Sequence, residues 1–122
     1  MREWVELPLH RVAHARAGDK GDILNVALFC YDPAVFAHVV EQVDEARVAQ
    51  AFAAHRPSRV RRFLLPRLSA CNFVLDDLLA GGVNNSLRLD RHGKGLAYLL
   101  LAQTLRLPPA LARAAHDADP RQ

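Results

Sequence analysis

The chain has 122 residues, of which 51% are hydrophobic and 24% are charged, and its formal net charge is +3. A length of about 100–150 residues is typical of one domain, and so high an apolar fraction is not typical of a disordered chain. No apolar run reaches the roughly 18 residues of a membrane span, and Glu3 and Glu6 stand where the apolar part of a signal peptide would begin, so we expect one cytoplasmic domain over residues 1–122 with no membrane partner.

The first half of the chain predicts two strands followed by two helices. Loose alternation over 8–16 favours a strand, and the nearly continuous apolar run over 23–30 predicts a central strand antiparallel to it. Asp32, followed by proline, is a typical helix N-cap. Asp44 predicts a second cap, and therefore a bend between two helices, of which the second ends near His55.

The second half predicts a strand over 59–65, a helix over 69–80, a short strand over 84–89 and a helix over 94–105. A further short helix over 109–116 is compatible with the alanine-rich tail. This order favours a four-stranded, largely antiparallel sheet with helices covering one face. The second face then needs water, a ligand or a partner, and apolar residues there would favour a dimer or a larger assembly.

The loop over 18–22 carries two glycines, which allow backbone N–H groups to turn inward around an anion, with Lys20 adding charge. Asp19 and Asp22 would repel a bare anion, but they could hold Lys20 or Arg16, or act as acid–base groups. The alternative is a hairpin turn in which Asp and Gly satisfy backbone geometry alone, and spacing by itself favours that alternative.

Other polar and reactive residues give weaker signals. Arg88, after the two glycines at 81–82, could clamp a carboxylate or phosphate, or could simply follow a helix C-cap into an edge strand. Asn72 stands in an apolar segment, where bonding to a loop backbone is favoured over ligand contact. Cys30 and Cys71 sit among apolar residues and predict buried free thiols. The histidines show no metal-ligand spacing, so we expect no metal and no cofactor.

Positive charge is concentrated in one stretch. Residues 1–55 hold five basic and eight acidic residues, residues 56–122 hold eleven and five, and 56–67 contains five arginines. Phe63 is the only aromatic residue in that stretch, which is unlike a platform that stacks nucleic-acid bases. A solvated edge, or an interface for an acidic partner surface, is therefore favoured over a nucleic-acid site.

Taken together, the motifs resemble the C-terminal ferredoxin-fold domain of the acyclic terpene utilisation protein AtuA family. They occur in the order Gly18-Asp19-Lys20-Gly21-Asp22, Asn25-Val26, Leu65-Pro66, Asn72-Phe73-Val74-Leu75, Gly81-Gly82-Val83, Ser86-Leu87-Arg88-Leu89-Asp90 and Gly93-Lys94. The resemblance covers about residues 8–106, leaving 107–122 as a tail, and it implies an α+β, ferredoxin-like fold. In the family, this domain often follows a much larger N-terminal domain. Because residues 1–122 do not contain that larger domain, we expect a stand-alone version here.

The resemblance also implies a site and a metabolic context. Relatives are associated with the bacterial breakdown of acyclic terpenes and related branched acids as CoA thioesters. The implied ligand-binding residues are Gly18, Asp19, Lys20, Gly21, Asp22, Asn25, Asn72, Gly81, Gly82, Ser86 and Arg88.

Three functions compete. The first is an accessory domain that binds a separately encoded large AtuA-like subunit or forms a homo-oligomer, and that holds an anionic acyl-CoA-type ligand with Lys20 and Arg88. The second is an enzyme acting on a CoA thioester, in which Lys20 polarises the carbonyl and Asp19 or Asp22 is the general base. The third is a nucleic-acid binder that uses the arginines of residues 56–67.

Overall fold

The computed structural model describes residues 3–20, 22–77 and 94–118. Its elements in chain order are β1 (Val5–Pro8), β2 (Ala13–Lys20), β3 (Ile23–Cys30), α1 (Pro33–Gln42), α2 (Glu45–Ala51), β4 (Arg59–Leu65), β5 (Ala70–Asp76), α3 (Lys94–Leu101), β6 (Thr104–Leu107) and α4 (Pro109–Ala118).

The main sheet has four antiparallel-paired strands in the order β2-β3-β5-β4. Because β3 and β4 are both antiparallel to β5, they run parallel to each other, and α1 and α2 connect them while β5 lies between them. This is the split β-α-β arrangement of ferredoxin-like folds. The N-terminal β2 occupies the remaining edge, and β1 pairs with β6 in a separate two-stranded sheet. The predicted α+β, ferredoxin-like fold is confirmed.

One face of the main sheet forms the core. Side chains alternate between the two faces along β3 and β5, so every second residue turns inward, and the helices cover these residues, with α3 on β2 and α2 on β4. The buried side chains of this core include Leu24, Val26, Leu28, Cys71, Phe73, Leu75, Val39, Val48, Leu96 and Leu100.

Several predicted elements are confirmed at their boundaries. The strands over 23–30 and 59–65 are β3 and β4. Asp32 caps α1 by accepting from the N–H of Ala34 at 2.9 Å, and Asp44 caps α2 by accepting from the N–H of Arg47 at 2.9 Å. The bend between the two helices and a helix in the tail are also present.

Other elements were predicted wrongly. The helix predicted over 69–80 is wrong where the structure describes it, because Ala70–Asp76 form β5. A short apolar run fits both helical and strand spacing, and here pairing with strands on both sides decides the conformation. The strand predicted over 8–16 is interrupted by a 3-10 turn at Leu9–Arg11, so β1 ends at Pro8 and β2 begins only at Ala13. The helix predicted over 94–105 ends at Leu101 and is followed by β6. The strand predicted over 84–89 lies outside the described residues.

The bend between α1 and α2 is tied to β4 by one arginine. The side chain of Arg62 points to the helix face of the sheet and donates to the carbonyl of Val40 at 2.8 Å and to that of Val43 at 2.9 Å. These carbonyls lie at the end of α1, where the helix itself supplies no further donors. Arg62 therefore fixes how the helical layer sits on the outer strand of the sheet.

We expect Arg62→Ala to lower the free energy of unfolding by about 1.5–3 kcal/mol, because hydrogen bonds from a charged group are lost and two carbonyls lose their donor. The control is Arg59→Ala, since Arg59 is exposed on the same strand and its removal should change stability by about 0.5 kcal/mol or less. Urea unfolding measures both. Equal losses for the two variants would contradict the assigned role of Arg62.

Candidate functional site

The second face of the main sheet is called here the open face. Paired residues of neighbouring strands share a face, so the register defines its members. They are His14, Arg16 and Gly18 of β2; Asn25, Ala27 and Phe29 of β3; Ala70, Asn72, Val74 and Asp76 of β5; and Arg59, Arg61, Phe63 and Leu65 of β4.

A polar cluster lies near the centre of the open face. Arg16 and Asn72 stand on either side of Ala27, and Asn25 lies between Gly18 and Val74. Asn25 is thus the diagonal neighbour of both Arg16 and Asn72, a relation that places residues about 7–8 Å apart. A guanidinium and two amides at this spacing can together contact one polar group of a ligand or partner.

Three residues of the predicted site, Gly18, Asn25 and Asn72, are brought together on this face. A Cβ added at Gly18 would meet nothing within 4 Å, so the space above it, beside Asn25, is open. Asn72 was expected in a helix, but it lies half-buried in β5 on the open face, so its predicted environment was wrong.

The remaining predicted site residues divide into two groups. In the β2–β3 hairpin, the backbone of Asp19 and Lys20 lies opposite Leu24 and Ile23, and Asp22 is exposed in the turn. The others lie outside the described residues, so the predicted convergence of the loops at 18–22 and 81–88 stays a prediction. They are Gly21, Gly81, Gly82, Ser86 and Arg88.

The other half of the open face, toward the β4–β5 turn, is apolar. The ring of His14 stacks on Phe29, with centroids 5.1 Å apart, and on Tyr31, with centroids 5.6 Å apart. Across the sheet, Phe63 is 48% exposed and Leu65 is 40% exposed. We call the open-face residues Phe29, Phe63 and Leu65, together with Leu68 of the following 3-10 turn, the apolar patch. Alternation along β4 could have indicated it, because Phe63 and Leu65 are two residues apart, but Phe63 was considered only as an aromatic side chain that stacks on nucleic-acid bases.

The arginines of residues 56–67 are not equivalent. Arg61 forms an ion pair with Asp76 at 2.8 Å, and Arg62 is used by the end of α1. Arg56, Arg59 and Arg67 are exposed. The positive charge that can act on a partner therefore lies along β4 and its two ends, next to the apolar patch.

Both cysteines are free and buried on the helix face of the sheet, as predicted. Burial, together with the neighbouring Cys71 and Asp32, raises the pKa of the Cys30 thiol to about 12. Burial also raises the pKa of Cys71, and Arg62 partly opposes that rise. A thiol in this state is a poor nucleophile, so neither cysteine is a candidate catalytic group.

Beyond the open face, a cavity of about 220 Å³ lies beside Tyr31, Asp32 and Val35. It is smaller than the roughly 300–1,000 Å³ of typical small-molecule pockets. Among the residues that the structure describes, no three His, Cys, Asp or Glu side chains are grouped as metal ligands would be. In the same part of the chain, no helix is long and apolar enough to cross a membrane.

The split β-α-β sheet, with the described helices packed on one of its faces, defines a ferredoxin-like α+β domain. Comparison with protein families agrees, since residues 7–106 match the AtuA ferredoxin-like domain. The chain therefore belongs to the AtuA ferredoxin-like domain family. Comparisons with curated proteins and with solved structures give no match.

At pH 8, both thiols should react with Ellman's reagent at least about 100-fold more slowly in the folded chain than in urea, because the reactive thiolate is suppressed and the sulfurs are covered. The control is Leu68→Cys, which introduces a thiol at a position whose side chain is 61% exposed and should add one fast-reacting group. The absorbance of the released product measures the rate of reaction, at neutral and at alkaline pH. Two fast thiols in the folded wild type would contradict the burial.

Proposed function

We propose that this protein is a non-catalytic accessory domain that binds a partner protein through the apolar patch of its open sheet face. The observation that carries the proposal is the exposure of Phe63 and Leu65 on the same face of β4, with Leu68 also exposed in the 3-10 turn that follows at Pro66–Leu68. Contiguous exposed apolar side chains on a monomer are typical of interaction sites.

The surroundings of the apolar patch support a protein interface. Phe29, Phe63 and Leu65 project from strands of a hydrogen-bonded sheet, so little backbone ordering is needed there when a partner binds. The polar cluster of Arg16, Asn25 and Asn72 borders the patch and can supply the hydrogen bonds of a polar rim.

A large AtuA-like subunit is the first candidate partner, because the resemblance associates the domain with such a region. The alternative occupant is a second copy of this chain, which would make the protein a homo-oligomer. Both would cover the same apolar side chains, so the experiment must identify the polypeptide that is bound.

The test replaces Phe63 with the photoreactive analogue p-benzoylphenylalanine in the native host. Irradiation should give a discrete adduct with a large AtuA-like protein, identified by mass spectrometry. The matched control carries the analogue at Tyr98, which is 62% exposed on α3, away from the sheet face. An adduct between two copies of this chain would assign the patch to a homo-oligomer instead. No adduct at 63, or the same adduct from 98, would overturn the proposal.

The polar cluster favours a second role, which is to hold an anionic acyl-CoA-type ligand in the breakdown of acyclic terpenes or branched acids. Arg16 supplies a cation and Asn25 and Asn72 supply amides, next to the open space above Gly18. Lys20 of the same hairpin would add to the positive charge. The supporting feature is that Arg16, Asn25 and Asn72 share one face of the sheet at neighbouring register positions.

Gly18→Val tests this role, because a Cβ at position 18 meets nothing within 4 Å and the larger side chain then occupies the space beside Asn25. We expect a branched acyl-CoA to raise the Tm of the wild type by several degrees at a concentration far above its Kd, and to leave the variant unshifted. Free CoA and inorganic phosphate serve as controls. An equal shift in wild type and variant would place any bound ligand elsewhere.

The two other functions have less support. An enzyme would need Lys20 with Asp19 or Asp22 at a thioester carbonyl, and this stays a prediction. A nucleic-acid binder would use five arginines, but the side chains of Arg61 and Arg62 already form contacts within the chain.

A further inference from the structure

We propose that the outer edge of β4 binds an extended, acidic segment of the partner as an added β-strand. This inference rests on the proposed function and concerns how the partner engages the apolar patch. Strand addition joins main-chain hydrogen bonds along the edge to side-chain contacts on both faces of the sheet.

The edge itself is available among the described residues. Within residues 3–20, 22–77 and 94–118, β4 is the last strand in the order β2-β3-β5-β4, and its one partner strand is β5. Its seven residues contain no proline, which is one of the usual means of protecting an exposed edge.

The register identifies which backbone groups point outward. The N–H of Cys30 donates to the carbonyl of Ser69 at 2.9 Å, so position 69, and every second residue after it along β5, directs its backbone groups to β3. The alternate residues of β5 direct theirs to β4, and their partners there are Arg59, Arg61, Phe63 and Leu65. The N–H and C=O groups of Val60, Arg62 and Leu64 therefore point away from the sheet.

Apolar side chains are exposed to solvent on both faces of this edge. Phe63 and Leu65 stand on the open face, while Leu64 stands on the helix face and is still 41% exposed. An added strand alternates its own side chains between the same two faces, so its apolar residues would cover these three.

Charge decides the kind of segment. Residues 56–67 hold five arginines and no acidic residue. Arg61 is paired with Asp76 and Arg62 with helix carbonyls, which leaves Arg56, Arg59 and Arg67 exposed along and beside the edge. A second copy of β4 would bring like charges together, whereas a strand that alternates acidic and apolar residues complements both the charge and the apolar side chains.

The first experiment measures amide hydrogen exchange by NMR, with a capped peptide of alternating glutamate and valine as the probe. In the free protein, the amides of Arg61, Phe63 and Leu65 should be protected, and those of Val60, Arg62 and Leu64 should exchange fast. Saturating peptide should slow the second set roughly tenfold or more. A lysine–valine peptide is the control and should have no effect. Protection of the second set in the free protein, or no difference between the peptides, would overturn the proposal.

A second experiment removes one outward donor. Leu64→Pro deletes an N–H that takes no part in the β4–β5 ladder, which an edge strand tolerates, and it should abolish peptide binding. Leu64→Ala shortens the same side chain but keeps the N–H. It should reduce binding severalfold, and bound peptide should still slow exchange at the amides of Val60, Arg62 and position 64. Equal effects of the two variants would show that the backbone does not carry the interaction. The wild-type exchange data keep the test decisive even if the proline variant does not fold.

The outcomes separate this inference from the proposed function. If p-benzoylphenylalanine at position 63 captures the large subunit while Val60, Arg62 and Leu64 stay unprotected in that complex, the patch binds a partner and strand addition is wrong. If position 63 captures nothing, the proposed function fails, whatever the peptide does.

Discussion

Strand β5 is hydrogen-bonded on both sides, to β3 and to β4, and every other feature of the sheet depends on this insertion. Because β5 lies between β3 and β4, the connection through α1 and α2 must cross over β5 to join those two strands. This insertion also sets the alternation of side chains for the whole sheet: Phe73 and Leu75 join the core beneath the helices, and Asn72 and Val74 face outward. The position of β5 thus defines which residues can form a site.

The two faces of the sheet differ because all the helical cover described here lies on one of them. The covered face is filled by aliphatic and aromatic side chains, two thiols and the arginine that ties β4 to the end of α1. The open face divides into a polar cluster and an apolar patch. Polar groups on a sheet surface can form hydrogen bonds with water. Transfer of the exposed Phe63 and Leu65 side chains from water into an interface is favourable, so they stabilise a complex with a partner. This difference favours a binding surface over a catalytic centre.

The basic stretch takes on a different meaning once its members are placed. Arg62 is structural, Arg61 is neutralised by Asp76, and the other three arginines border an open strand edge. Charges at an edge commonly prevent association with the wrong strands. Here they would repel a second β4 while attracting an acidic segment, so the same residues can protect the edge and select its partner.

Much of the local structure follows from the sequence by itself. The caps at Asp32 and Asp44, the apolar run of β3 and the extent of β4 are determined by neighbouring residues along the chain, and so they could be predicted. The family motifs indicated the fold class as well. Of the predicted site residues that the structure describes, Gly18, Asn25 and Asn72 proved to share one face. The tertiary structure alone decided that residues 70–76 form a strand, because their spacing also fits a helix and only pairing with β3 and β4 selects between the two. It also decided that Arg62 points inward and Phe63 outward, since the face on which a side chain lies depends on register with strands distant in the chain.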